Sequence, residues 1–339
     1  MAERRFKVAV VGATGAVGEA MLSILAARRF PASEVIALAS GRSAGGSVDF
    51  GDVELLVHEL SAFDPAGVDI ALFAAGGDVS KGHAPRFAAA GAVVIDNSSA
   101  FRQDQDVPLV VAEVNPDAAA QRPRGIIANP NCSTMQMVVA LAPIHRAVGI
   151  ERINVATYQS VSGAGRSALE ELGRQTGALL NFQGAAPERF PVQIAFNLIP
   201  HIDDFQDNGY TREEMKLVWE TRRILGDDSI QVNPTAVRVP VFYGHSEAVH
   251  IETREKIDAA TARRLLEAAP GVTVVDERKA GGYPTPVTHA SGSDAVFVGR
   301  IREDLSHPRG LDLWIVSDNI RKGAALNAVQ VAELVARSA

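Results

Sequence analysis

The stretch "FKVAVVGATGAVGEAML" (Phe6–Leu22) decides the fold. Apart from Lys7, its first six residues are apolar and mostly β-branched, as in a strand buried on both faces. Gly12, Gly15 and Gly18 follow, and Val17–Ala27 then carries the period of a helix. Strand, glycine-rich turn and helix form the context of a dinucleotide-binding unit. Glycines permit a tight turn and close backbone approach, and the helix N-terminus offers free N–H groups to a pyrophosphate. Gly12, Ala13, Thr14, Gly15, Ala16, Val17 and Gly18 are therefore the candidate cofactor loop. The spacing departs from G-x-G-x-x-G, so taken alone it leaves a purely structural turn open.

Working outward, Val35–Ala39 reads as the second strand and ends in "LASGRSAGG", with no acid before Asp49. A fold that prefers NAD usually places Asp or Glu there to bind the ribose 2′-OH. Ser40, Arg42 and Ser43 instead offer donors and a cation suited to the 2′-phosphate of NADP; the bland rival is a surface loop that happens to carry an arginine. Val68–Ala74, Ala92–Asp96 and Ile126–Ala128 read as further buried strands, and a helix over Val79–Ala90 stops at Gly91. Strands alternating with helices imply a parallel sheet covered on both faces. After Cys132 the pattern changes to a mixed α+β one. Helices are expected over Ser133–Val148 and Arg166–Gly177, with strands over Ile153–Tyr158, Gly244–Thr253, Asp294–Asp304 and "GLDLWIVSDN". Thr211 and Glu214 spell a capping box ahead of a helix reaching about Leu225. A last helix, about Arg321–Val335, is expected to return to the first domain.

The 339 residues, 47% hydrophobic and 22% charged, suffice for two domains and a sizeable core. A net charge of −7 argues against a broad nucleic-acid surface. A single cysteine makes no internal disulfide and calls for no oxidising compartment. Arg4 and Arg5 precede an apolar run, but glycines and Glu19 interrupt it, which suits a strand and turn better than a signal peptide. No apolar segment approaches the roughly 20 residues of a membrane span. A soluble, cytoplasmic protein is expected. No metal is expected, since neither C-x-x-C nor H-E-x-x-H occurs.

The lone cysteine, Cys132, stands in "NPNCSTMQM" among turn and cap residues: Asn129, Pro130, Asn131, Ser133 and Thr134. A cysteine at a helix N-terminus meets the positive end of the dipole, which favours the reactive thiolate. Free cysteines are also commonly inert small hydrophobes, and these residues alone leave both readings open.

Eight short stretches together give a specific resemblance. "GATGAVG", "SGRSAG", "DNSSAFR", "NPNCSTMQM", "QSVSGAG", "EEMK", "VRVPVFYGHSE" and "SDNIRKGAALNAVQ" occur in the order found in aspartate-semialdehyde dehydrogenases, along essentially the whole chain. The resemblance implies a Rossmann-like NADP-binding domain (residues 1–131 with 319–339) plus a mixed α+β catalytic and dimerisation domain (132–318). It makes Cys132 the nucleophile that forms an acyl-thioester, His245 the general acid/base and Gln159 a substrate-orienting group. Arg238 matches the position for the substrate carboxylate. Arg102, Asn131 and Lys216 match phosphate-binding positions, with Glu213 one helical turn from Lys216. Ser162, Gly163 and Asn319 match positions near the cofactor.

The implied reaction is the NADPH-dependent conversion of L-4-aspartyl phosphate to L-aspartate 4-semialdehyde and phosphate. It lies on the route to lysine (through diaminopimelate), methionine, threonine and isoleucine, and such enzymes are usually homodimers or homotetramers. Each assignment has a plain rival: His245 is one of eight histidines, the arginines suit surface ion pairs, and Glu213 and Lys216 suit an i,i+3 helix pair. Two other functions are weighed. N-acetyl-γ-glutamyl-phosphate reductase uses the same chemistry, but the motifs around Cys132 and His245 favour the aspartyl enzyme. A non-catalytic dinucleotide-sensing homologue should have lost the nucleophile or its partners, and all of them remain. The S-C-T-T-N signature of glyceraldehyde-3-phosphate-type enzymes is absent.

Overall fold

A computed structural model describes residues 4–338. The chain forms two compact units: the residues up to Pro130 together with those from Ala324 on, and Asn131–Gly323.

The first unit is built from β1 (Phe6–Val11), α1 (Ala16–Ala27), β2 (Ala32–Ala39), β3 (Ser47–Phe50), β4 (Val53–Glu59), β5 (Ile70–Phe73), α2 (Gly77–Ala89), β6 (Val93–Asp96) and β7 (Ile126–Ala128). Its seven strands lie in the order β3-β4-β2-β1-β5-β6-β7. All neighbours are parallel except β3 and β4, which form a hairpin that the sequence reading did not contain. From β1 the chain winds first to one side through β2 and then to the other through β5. The crevice at the carboxyl ends of β1 and β5 is thus the topological switch point, where open α/β sheets bind ligands. Gly12 sits there with φ +82°, and a Cβ on it would lie 2.7 Å from the Ala74 carbonyl oxygen. A Cβ on Gly18 would lie 2.1 Å from the carbonyl oxygen of Gly12. Only glycine fits either position, and the tight turn delivers the chain into the N-terminus of α1. Val8 and Val10 pack with Met21, Leu22 and Leu25 of α1 and with Val329, Ala332 and Val335 near the C-terminus.

The second unit holds α3 (Cys132–Val148), β8 (Ile150–Gln159), α4 (Arg166–Leu180), α5 (Arg212–Leu225), β9 (Gln231–Arg238), β10 (His245–Thr253), α6 (Ala259–Glu267), β11 (Val272–Val274), β12 (Val296–Glu303) and β13 (Gly310–Ser317). Its mixed sheet has the order β11-β12-β13-β10-β8-β9. Helix α3 packs on one face against β8, β10, β12 and β13, with α5 and α6 against α3. Side chains alternate across the strands: Glu247, Val249 and Ile251 of β10 are buried, whereas Ala248, His250 and Glu252 face the more open side. The final helix, α7 (Leu326–Arg337), belongs to the first unit.

The two-domain α/β class follows the sequence. Three local details differ. The last helix starts at Arg321 as expected, but its first turn, Arg321–Ala325, is π-helical and regular α-helix begins at Leu326. Strand β9 and helix α6 had no counterpart in the sequence reading. Residues 319–323 lie with the second unit, where the Asn319 side chain accepts hydrogen bonds from Ser160 and Gly244.

Candidate active site

Asn131 is the N-cap of α3, and Cys132 is the first residue inside the helix. The cap is fixed on every side. Its Oδ1 accepts from the backbone N–H groups of Ser133 (3.0 Å) and Thr134 (3.2 Å), closing two of the helix's open donors. Its own backbone N–H donates to Glu220 Oε2 at 2.6 Å, and its Nδ2 donates to Glu213 Oε1 at 2.9 Å. Glu213 and Glu220 lie two turns apart on one face of α5, so one helix grips both the main chain and the side chain of the residue before the thiol. Cys132 Sγ therefore stands at the positive end of a long helix whose start cannot drift. No spacing in the sequence marks Glu220, because it acts across elements.

Glu213 is the hub of this end of the unit. Besides Asn131 it accepts from Gln159 Nε2 (3.2 Å) and from Lys216 Nζ (2.8 Å to Oε2). Burial opposes its charge, but the Lys216 ammonium and the hydrogen bonds from Lys216, Asn131 and Gln159 win and pull its pKa down to about 2. Lys216 also donates to Asp203 Oδ2 at 2.8 Å, and despite burial these carboxylates keep its pKa above the ordinary lysine value. A carboxylate is a poor ligand for phosphate. Glu213 instead organises Asn131, Lys216 and Gln159, and leaves each of them further donor capacity.

Arg238 ends β9 and is buried, with Nη1 donating 2.7 Å to the Ser160 carbonyl oxygen. The Ser160 backbone N–H donates 3.0 Å to His245 Nδ1, and its hydroxyl lies 3.1 Å from the same nitrogen. A backbone N–H can only donate, so Nδ1 is the acceptor and the neutral ring carries its proton on Nε2. Nε2 has no hydrogen-bond partner among the described residues. Burial, reinforced by the Arg238 charge, lowers the His245 pKa to about 3, so the ring is neutral at physiological pH. Gly163 lies against both groups: a Cβ there would be 3.1 Å from Arg238 Nη1 and 3.4 Å from His245 Nε2. Ser160, absent from the sequence-derived candidates, thus holds both Arg238 and His245. Asn319 supports it, accepting from the Ser160 hydroxyl (3.0 Å) and from Gly244 N–H (2.9 Å), while Ser162 bonds the same amide.

The second unit therefore brings together Asn131, Cys132, Gln159, Ser162, Gly163, Glu213, Lys216, Arg238, His245 and Asn319. Arg102 lies in the first unit, buried, with Nη2 donating 2.9 Å to the Asn97 carbonyl oxygen. The glycine loop, Ser40, Arg42 and Ser43 are there too, and Thr14 and Ser43 meet hydroxyl to hydroxyl at 3.4 Å. The second-strand loop has an acidic neighbour after all: a Cβ on Gly41 would lie 3.3 Å from Glu59 Oε1, supplied by β4. No group of His, Cys, Asp and Glu suited to a metal occurs among the described residues.

Comparison with known proteins bears on the same residues. Residues 7–122 match the family described as semialdehyde dehydrogenase, NAD binding domain, and residues 141–322 match semialdehyde dehydrogenase, dimerisation domain. An aspartate-semialdehyde dehydrogenase of Legionella pneumophila is 61% identical over 98% of this chain and 96% of that protein. The crystal structure of aspartate semialdehyde dehydrogenase II from Vibrio cholerae, complexed with ASA, superposes with a TM-score of 0.96 at 57% identity, covering 98% of this chain and 99% of that one. The enzyme from Candida albicans, crystallised with NADP, gives a TM-score of 0.76 at 26% identity over 98% of each chain. By sequence, by fold and over nearly its full length, the chain belongs to the aspartate-semialdehyde dehydrogenase family of oxidoreductases.

Proposed function

We propose that the chain reduces L-4-aspartyl phosphate to L-aspartate 4-semialdehyde through a thioester on Cys132, with the first unit holding NADPH and the second carrying the chemistry. The observation that carries this reading is the doubly gripped Asn131 cap, which presents one thiol at a helix N-terminus in the unit that also holds Arg238 and the neutral His245.

Cys132 Sγ attacks the acyl carbon; the C–S bond forms and the C–O bond to phosphate breaks. Splitting the displacement in this way is the use of covalent catalysis. Arg238 meets the substrate carboxylate with its remaining N–H donors, since a guanidinium offers a planar fork and Ser160 occupies only Nη1. In the second unit, Lys216 and the second Nδ2 hydrogen of Asn131 receive the phosphate. Gln159, tethered by Glu213, orients the acyl group. Bound NADPH supplies the hydride that reduces the thioester. The neutral His245 Nε2–H donates a hydrogen bond to the substrate oxygen as negative charge develops on it in the tetrahedral adduct, and as that oxygen re-forms the aldehyde carbonyl the C–S bond breaks and Sγ departs as thiolate. The glycine cradle of the first unit, which any Cβ would fill, suits a dinucleotide pyrophosphate. Ser40, Arg42 and Ser43 support NADP over NAD.

A homodimer is the second part of the proposal. The more open face of the second sheet carries Tyr158, Ala248, His250 and Trp314, and this is the unit that matches a dimerisation domain. A reducing, cytoplasmic setting suits an enzyme that depends on a thiolate. The decisive assay runs in reverse: aspartate semialdehyde, phosphate and NADP+ should yield NADPH, and N-acetylglutamate semialdehyde should not. Light scattering of the purified protein reads the assembly, and a monomer at working concentration refutes the dimer.

A further inference from the structure

Beneath the site lies a buried acid that the reaction does not use. Glu247 follows His245 by two residues on β10, so the two side chains share the face that packs against α3. Gln136 follows Cys132 by four residues on α3, one turn further on. Glu247 is fully buried and Gln136 is 1% exposed. Among the described residues, Gln136 is the side chain placed to offer Glu247 a hydrogen bond. Yet at neither carboxyl oxygen nor at either Gln136 amide atom is a full bond closed with any described residue.

These four atoms match one another in only one protonation state. An ionised carboxylate has four lone-pair sites and no donor, so it would leave the Gln136 carbonyl unsatisfied and turned toward a negative charge. A neutral carboxylic acid can donate its O–H to Gln136 Oε1 while its carbonyl accepts from Gln136 Nε2, so that each partner supplies one donor and one acceptor. The neighbours favour the neutral form. In the sheet, Glu247 lies beside Thr157 of β8 and Ile315 of β13, both uncharged. The titratable groups on its own face are His245 on β10 and, on α3, Cys132 and the more distant His145 and Arg146. Tyr158, His250, Glu252 and Asp312 alternate to the other face. Burial pushes the Glu247 carboxyl well above the ordinary glutamate range, opposed only by the Gln136 hydrogen bond.

We propose that Glu247, as a neutral carboxylic acid, and Gln136 close a cyclic acid–amide pair that ties the helix bearing Cys132 to the strand bearing His245. Both are positioning residues: they touch no reacting atom, and they set the nucleophile against the acid/base. Protein chemistry offers a precedent for a carboxylic acid kept neutral by an apolar site so that it can donate. The functional half rests on the roles proposed above for Cys132 and His245, whereas the acid–amide pair can be read without turnover.

The test uses full-length Glu247→Gln, Glu247→Leu and Gln136→Leu. Infrared difference spectra of wild type against Glu247→Gln should show a protonated-carboxyl stretch near neutral pH that the variant lacks. An acid whose pKa is raised by folding loses stabilisation as pH rises above its unfolded value, so the thermal advantage of Glu247→Gln should widen as pH rises above the ordinary glutamate value. The two leucine variants should shift the pH dependence of Cys132 alkylation and lower kcat by up to about 100-fold, the scale of a 1 Å misplacement. Glu247→Gln, which can still form an amide–amide ring, should fall between them and wild type. No protonated-carboxyl band, or a stability gap that does not change with pH, overturns the neutral acid. A band together with leucine variants whose alkylation and kcat match wild type overturns the positioning role. An active Cys132→Ala enzyme would instead refute the catalytic reading and leave the acid–amide pair standing.

Discussion

The backbone N–H of Asn131 donates to Glu220 Oε2 at 2.6 Å, and the next residue is the thiol. A hydrogen bond from a peptide N–H to a buried carboxylate contributes about 1.5–3 kcal/mol, enough to choose one backbone conformation at a helix start. Glu220→Ala should release the main chain of Asn131 while Glu213 still holds its side chain. We expect slower alkylation of Cys132 and a reduced kcat, with the KM for NADP little changed. Glu220→Gln keeps an acceptor oxygen and should recover most of the loss. If the alanine variant alkylates and turns over at wild-type rates, Glu220 does not position the thiol.

Cys132→Ala should abolish turnover and spare the fold. Alanine is the strongest helix former, and the cap bonds of α3 come from Asn131, not from the thiol. Circular dichroism, thermal unfolding and NADP titration should stay close to wild type. Residual activity near the wild-type level in the purified variant would falsify the covalent mechanism.

Acid should find two weak points in offset, overlapping pH windows. His245 has a folded pKa of about 3 against 6.5 unfolded. Between those values the unfolded chain binds the proton and the native one does not, so this stabilisation is complete above 6.5 and lost as pH falls toward 3. Glu213, at about 2 against 4.5, contributes fully above 4.5 and loses its contribution as pH falls toward 2. His245→Gln should therefore flatten the decline in melting temperature that begins below 6.5, and Glu213→Gln only the part below 4.5. The histidine variant should also lose roughly 10²–10⁴ in kcat, the usual worth of a positioned acid/base. A decline of the same shape in all three proteins would contradict both assignments.

Specificity for NADP should depend on Arg42. It is exposed in the loop after β2, beside the Ser43 hydroxyl that meets Thr14 of the glycine turn. Arg42→Ala should lower kcat/KM for NADP and leave that for NAD nearly constant. The Glu59 carboxylate lies close to Gly41, and Glu59→Gln should shift the preference further toward NADP by removing a charge that repels a 2′-phosphate. Equal kcat/KM for the two cofactors in wild type would remove the basis of this assignment.

What could be read in advance depended on whether the signal was local. The glycine turn and the capping box are contiguous, and both appear as read; Thr211 and Glu214 exchange reciprocal bonds. Strand β9 escaped because Pro234 interrupts it. A proline lacks the ladder donor, which is tolerated here because β9 is the edge strand of its sheet, with β8 its one neighbouring strand there and a single further bridge, Arg238 to Ile199, at its end. That edge is what delivers Arg238. His245 could not be chosen over His250 by spacing: the two fall on opposite faces of β10, and only the packing of α3 shows which face is covered. Ser160, Glu220 and Glu247 act through bonds between elements far apart in the chain, for which no short motif exists.

The two ends of the substrate should be separable by mutation. Arg238 and Lys216 both lie in the second unit, but their partners differ. Arg238 is fixed through Nη1 to the carbonyl of Ser160, whose N–H holds His245, which leaves its remaining donors for the proposed substrate carboxylate. Lys216 is shared by Glu213 and Asp203, so an incoming phosphate must draw its ammonium partly away from Asp203. In the reverse assay, Lys216→Ala should raise the KM for phosphate more than that for the semialdehyde. Arg238→Leu should impair semialdehyde binding or turnover and leave the phosphate KM less affected. Asp203→Asn separates this from a mere loss of structure, because it frees the lysine and keeps it charged, so the phosphate KM should fall or hold. If Lys216→Ala and Arg238→Leu impair both substrates in equal proportion, the two-site assignment fails, even though the family of the enzyme would stand.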